Sequence, residues 1–229
     1  MPSDVFSAAS LEIIKASSLP IPEGAIELIM AEEDTSEQYY INHYQHPEWP
    51  GGASGVTIAI GYDCGYADEA KIHRDFDGKI PAPMVDALVS VCGIKSSDAH
   101  WAMQKIWNKV RIPWDVALKV FLDNDMPEWI NTVETLMPRA RELHPDCLGA
   151  LVSLAYNRGA SFNSPGPRDY EMRMIRDHIA AGDFDLVPKE FRSMKRLWPM
   201  VLDLRDRREH EAQLFERGLS LMATKVASQ

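Results

Sequence analysis

The segment Trp49-Pro50-Gly51-Gly52-Ala53-Ser54-Gly55-Val56-Thr57-Ile58-Ala59-Ile60-Gly61-Tyr62-Asp63 stands apart from a chain that otherwise reads as helix. It opens on a glycine-rich turn and then runs Val56 to Ile60 with apolar residues at alternate positions, the period of a half-buried strand. Val56, Ile58 and Ile60 are expected on one face, with Thr57, Ala59 and Gly61 on the other. The second face carries one hydroxyl beside two residues that leave room above it, a pattern that marks the close approach of something else. Asp63 follows the strand, and the acidic pair Glu32-Glu33 lies upstream of it. A hydroxyl set between acidic positions marks the segment as a candidate site.

Size and composition narrow the classes around this segment. A chain of 229 residues with 45% hydrophobic and 25% charged residues is long enough for a sizeable core and has an ordinary globular composition. No apolar run approaches the roughly 18 residues that span a bilayer. Met1-Pro2-Ser3-Asp4 is not followed by a basic and then an apolar block, so no signal peptide is expected. Cys64, Cys92 and Cys147 form no C-x-x-C pair and read as reduced, buried thiols. The net charge of −10 argues against nucleic-acid partners. The charge is uneven: from Arg192 onward there are eight basic and five acidic residues, so the last helix is expected to be locally basic.

Residues 1–21 read as an arm, broken by Ser17-Ser18 and by Pro20 and Pro22. Residues 22–33 predict a helix with Ile26, Ile29 and Met30 on its apolar face, and this helix delivers Glu32 and Glu33 at its C-terminal end. A carboxylate there faces the negative end of the helix dipole, which raises its pKa as a general acid requires. His43-x-x-His46 lacks a third ligand, so no metal is expected. The aromatic and polar run from Tyr39 to Tyr44 suits the rim of a sugar site better. Helices are expected over residues 68–76, 83–91, 97–107, 115–121 and 126–136, with a break near Asp125-Met126-Pro127. Further helices are expected over 147–157, capped by Asp146 and apolar around most of its circumference, then 170–181, 185–194 and 203–222. Trp101, Trp107, Trp114 and Trp129 are expected to pack in the core. The fold class is α+β and mostly α: two lobes, one small β-hairpin and a helical bundle.

Three stretches resemble one family. A helix ending in Glu33, followed by a polar segment and by Thr57-Ile-Ala-Ile-Gly-Tyr-Asp63, is similar to the phage-type lysozymes and endolysins of glycoside hydrolase family 24, in particular the pesticin-like branch. Leu151-Val-Ser-Leu-Ala-Tyr-Asn-Arg-Gly159 resembles that family's buried helix, and Ile179 to Asp183 with Leu204 to Phe215 resembles its closing helices. The resemblance covers roughly residues 22–77 and 147–217. It implies a lysozyme-like catalytic domain over residues 22–229, with a small lobe over about 34–80 and a helical lobe over about 81–229.

It also implies an enzyme that cuts the β-1,4 bond between N-acetylmuramic acid and N-acetylglucosamine in peptidoglycan. Such an enzyme would use no cofactor, bind neither nucleic acid nor membrane stably, and act as a monomer. It would be made in the bacterial host cytoplasm and act on the cell wall in the periplasm. Glu33 falls on the general acid, with Glu32 as alternative; Thr57 falls on the catalytic threonine and Asp63 on a carboxylate after the strand. Tyr62, Tyr40 and Asn157 are the candidate substrate-binding residues. Two departures from the family stand out. No Asp lies between residues 35 and 62, where Glu37 and Glu48 are the only carboxylates, so either Asp63 supplies the second function or the enzyme works with one carboxyl. Ala59 stands where the family has Gly, a change expected to be tolerated. A one-carboxyl mechanism suits a lytic transglycosylase, and a wall-binding virion module that no longer cuts is the reading from a different class.

Overall fold

The computed structural model describes residues 6–31 and 37–227. Helix α1 (Ala8–Ala16) is capped by Ser7, whose hydroxyl oxygen accepts the Ser10 N–H. The arm expected over residues 1–21 thus holds a helix. The Ser10 hydroxyl donates to Glu37 at 2.8 Å and accepts the Trp114 indole N–H at 2.8 Å, and Phe6 stacks on Trp114. Helix α2 (Glu23–Ala31) leads into Glu32 and Glu33, which lie outside the described residues. Helix α3 (Glu37–His43) occupies the aromatic run, where no helix was expected.

The hairpin is shorter than the predicted strand. Strands β1 (Thr57–Ile58) and β2 (Tyr62–Asp63) pair antiparallel, Thr57 opposite Asp63 and Ile58 opposite Tyr62. The chain reverses over Ala59, Ile60 and Gly61 because Ala59 (φ +51°) and Gly61 (φ +72°) both adopt the left-handed region. An L-residue pays roughly 1–2 kcal/mol for that conformation, which is the physical reason a glycine suits position 59.

Helices α4 (Glu69–Phe76), α5 (Ala82–Val89), α6 (Ser97–Ile106) and α7 (Trp114–Val120) follow, close to expectation. The break expected at Pro127 is replaced by a π turn over Phe121–Asp125, leading into α8 (Met126–Leu136). There the Met126 N–H reaches back to the Phe121 carbonyl, a five-residue span. The wider turn relieves the clash that a helical proline makes with the carbonyl four residues before it. Helices α9 (Pro145–Arg158), α10 (Tyr170–Ala181), α11 (Val187–Ser193) and α12 (Leu202–Ala227) complete the chain. His144 rather than Asp146 caps α9, through its ring nitrogen and the Asp146 N–H.

The described residues form two compact units, 6–17 with 37–126 and 18–31 with 127–227. The first is built on Ile58, Tyr62, Ile72, Phe76, Leu88, Trp114 and Phe121, all buried. In the second, α9 is buried over most of its length, as its apolar circumference predicts. Gly149 lets α2 approach: a Cβ there would stand 2.4 Å from that of Ala25. Gly218 does the same for α12, its missing Cβ falling 2.5 Å from the Cys147 sulfur. The basic surplus counted from Arg192 onward lies ahead of the last helix, in Arg192, Lys195 and Arg196; α12 itself carries equal numbers of basic and acidic residues and is not locally basic. Arg192 bridges Glu209 and Glu216, Lys195 joins Glu209, and Arg217 joins Asp146. Among the described residues no helix is long and apolar enough to cross a membrane.

Two stability outcomes are expected. Ala59→Gly raises the unfolding free energy by about 0.5–1 kcal/mol, since relief of the left-handed strain exceeds the added chain entropy; urea denaturation measures it. Hydrogen bonds from Arg192 and Lys195 hold the Glu209 carboxyl down at about 2. Because that pKa is depressed on folding, the associated stability is present above the unfolded value of about 4.3 and is lost as pH falls toward the folded one. Glu209→Gln therefore flattens the pH dependence of stability across that acidic window, measured by denaturation at a series of pH values.

Candidate active site

Strand pairing around Thr57 collects the site. Its N–H and carbonyl exchange two hydrogen bonds with Glu48, both 2.9 Å, so Glu48 lies directly opposite it on one side. Asp63 lies directly opposite on the other side. Directly opposed residues in antiparallel pairs project to the same face. Glu48, Thr57 and Asp63 therefore form one row across three short extended segments: carboxylate, hydroxyl, carboxylate. On the other face, Ile58 and Tyr62 form a buried row at 2% and 3% exposure.

The two carboxylates of the row differ in what they hold. Asp63 accepts the Gly55 N–H on both oxygens, at 3.0 and 3.1 Å, and the Gly65 N–H at 2.8 Å. The last bond caps the short 3-10 turn over Cys64–Tyr66. Gly55 and Gly65 meet backbone to backbone: a Cβ on Gly55 would lie 2.4 Å from the Gly65 Cα, and one on Gly65 2.7 Å from the Gly55 Cα. Asp63 is thus a clamp between two loops, its oxygens directed at backbone donors. Glu48 has no hydrogen bond to its carboxylate among the described residues. It reaches solvent, yet the surrounding protein removes enough water for desolvation to raise its pKa. The Thr57 side chain likewise has no hydrogen-bond partner among the described residues and is 8% exposed.

Three expected substrate-binding residues are engaged elsewhere. Tyr62 points into the core, where its hydroxyl donates to buried Asp75 at 2.9 Å and its ring meets Phe76 edge-on. Burial and the Asp75 charge push its pKa up. Tyr40 is fully buried, donates to the Ile112 carbonyl at 3.0 Å, and packs on Trp114. Both are buried because the apolar body of a tyrosine favours burial once its hydroxyl finds a partner. Asn157 belongs to the second unit, where its side-chain oxygen accepts from Arg208 at 3.1 Å. That bond joins a buried network in which Arg208 and the Ser153 hydroxyl both donate to Glu211 at 2.8 Å. Within α12, Arg207 and Arg208 both pair with Glu211, and all three are fully buried. Glu33 lies outside the described residues.

His43 and His46 do not converge: His43 stacks on Tyr39, and His46 stacks on Trp107. Among the described residues no group of three His, Cys, Asp or Glu side chains can hold a metal ion. Glu48 was visible in the sequence only as one of two carboxylates upstream of the strand. Its placement depends on a pairing register across the intervening Gly-rich loop, which no local pattern specifies.

No family model matches the chain, and no curated protein matches it. Among solved structures, the chain is similar to the active form of the P1 phage endolysin Lyz, at 14% sequence identity and a TM-score of 0.49, over 95% of this chain and 97% of that one.

The row assigns its two carboxylates different tasks, which substitution separates. Asp63→Asn keeps one acceptor oxygen but turns the other side into a donor facing Gly55 N–H, and is expected to cost about 1–3 kcal/mol of stability. Glu48→Gln, with no bond to lose, leaves the melting temperature close to that of the parent chain; thermal denaturation followed by circular dichroism distinguishes them.

Proposed function

We propose that this chain is a peptidoglycan hydrolase of lysozyme-like fold, a muramidase acting on the cell wall in the periplasm as a monomer. The observation that carries this reading is the Glu48–Thr57 pair: a carboxylate with no hydrogen bond among the described residues, its pKa raised by partial desolvation, directly opposite a hydroxyl on one strand face. The resemblance of the flanking motifs supplies the substrate class. In this reading Glu33 is the general acid, Thr57 orients the attacking water, and Glu48 supplies the second carboxylate in place of Asp63.

The chemistry follows from these roles. Glu33 gives its proton to the glycosidic oxygen as the bond to the anomeric carbon breaks. Water, held by the Thr57 hydroxyl, forms the new bond to that carbon from the opposite side and passes a proton to Glu48. Configuration inverts, which requires the two carboxyls about 6.5–9.5 Å apart to admit the water. A base works best when its pKa lies near the working pH, and desolvation moves Glu48 in that direction. Asp63 keeps the strand row in place through its bonds to Gly55 and Gly65.

Release of reducing sugar from purified peptidoglycan tests the reading. Glu33→Gln and Glu48→Gln are each expected to lower kcat by about 10²–10⁴-fold, the usual share of a positioned acid or base. The acidic limb of kcat/KM, which reports ionisation of Glu48, is expected above the ordinary glutamate range. Full activity in Glu33→Gln overturns the assignment of the acid. Anhydromuramic ends by mass spectrometry overturn hydrolysis in favour of a lytic transglycosylase. Binding to sacculi with no loss of turbidity makes the chain a wall-binding module.

A further inference from the structure

Two of the tryptophans expected in the core are on the surface. Trp101 is 61% exposed and Trp107 45% exposed, both along α6 or at its end. They belong to an ordered aromatic strip. The His100 ring lies between Trp49 and Trp101, with centroids at 5.4 and 5.2 Å. His46 stacks on Trp107 at 4.5 Å and 20°, and is fixed by its ring nitrogen at 3.1 Å from the Trp107 and Val110 carbonyls. Trp49 is held in turn by its indole N–H on the Ser54 carbonyl. The rings are therefore anchored from beneath while Trp101 and Trp107 present large areas to solvent.

Position and charge indicate what such a strip would hold. His46 and Trp49 lie on the same short segment as Glu48, so the segment that pairs with Thr57 also carries two rings of the strip. Within residues 95–111 the exposed charges are Lys95, Lys105, Lys109 and Arg111 against Asp98 alone, a cationic surface in a chain of net charge −10. Gln104 is exposed on the same helix and bonds to His100. Flat aromatic faces accept the C–H faces of pyranose rings, exposed amides meet acetamido groups, and ammonium groups meet carboxylates. A neutral sugar polymer does not need the cations. A single-stranded nucleic acid would use both cations and stacking rings, but the net charge of −10 opposes it.

We infer that the α6 strip of Trp49, His100, Trp101 and Trp107 is a binding platform for an N-acetylated glycan strand bearing acidic peptides. It holds the polymer beside the Glu48–Thr57 row. This inference rests on the hydrolase reading for the identity of the polymer, but binding and cleavage are measured separately.

The experiment is cosedimentation of the full chain with purified sacculi, alongside tryptophan-fluorescence titration with uncharged N-acetylglucosamine oligomers. Trp101→Ala and the double variant Trp101→Ala/Trp107→Ala are compared with Tyr170→Ala, which removes an exposed aromatic of the second unit. The double variant is expected to bind sacculi about tenfold or more weakly, the loss that an aromatic anchor typically carries. Lys105→Glu/Lys109→Glu is expected to weaken sacculus binding at low salt while leaving the uncharged oligomers bound as before. Unchanged affinity in the double variant, with an unchanged circular-dichroism spectrum, overturns the platform. So does an equal loss in Tyr170→Ala, or a preference of the parent chain for a single-stranded oligonucleotide over sacculi. A chain that binds sacculi through Trp101 but releases no sugar supports the platform while removing the hydrolase reading. A chain that cleaves, with tryptophan variants that bind normally, does the reverse.

Discussion

The Asp63 carboxylate is the constraint on which the first unit depends. Three hydrogen bonds from the amides of Gly55 and Gly65 draw two loops into contact closer than any Cβ would allow. That contact fixes the register of a hairpin only two residue pairs long, which on its own would be marginal in water. Register in turn decides which residues face Thr57, because a slip by one position would send the opposing side chains to the other face. The chemistry proposed for Glu48 is in this sense downstream of a carboxylate whose oxygens are held by backbone amides.

Unit 2 uses charge differently. Arg207, Arg208 and Glu211 are removed from water between α9 and α12, and their mutual bonds with Ser153 and Asn157 offset a large desolvation cost. Such a network discriminates among packings more than it stabilises any of them: rotating α12 by one residue would separate ions that water can no longer reach. The apolar circumference of α9 supplies burial, while the arginines select one arrangement of it.

Much of this architecture was legible in the sequence, and the failures share a cause. Helices α4, α6, α9 and α10 follow from periodicity and end residues, and the β element follows from alternation around Thr57. Local patterns placed Tyr62 at the end of the expected strand and Tyr40 in an aromatic, polar run, but not the direction of their rings. That direction was set by distant partners, Asp75 and the Ile112 carbonyl. Trp101 and Trp107 misled for the converse reason: hydrophobicity argues for burial, whereas exposure depends on what other elements leave uncovered. The engagement of Asp63 by Gly55 and Gly65, and the open carboxylate of Glu48, were not legible because a pairing register and a loop contact, both non-local, determine which carboxylate has its oxygens occupied.

The close seating of Gly218 on Cys147 has a consequence for kinetics. The thiol is fully buried, its proton affinity is pushed up to about 12, and it donates to the Phe215 carbonyl of α12. A thiolate, the reactive form, is scarcely populated while that helix stays in place. Cys147 is therefore a built-in clock for the α9–α12 seam: the rate at which it can be alkylated is the rate at which the seam opens, weighted by how long it stays open. Opening between α9 and α12 can thus be followed at a cysteine already present in the sequence, without engineering a new one.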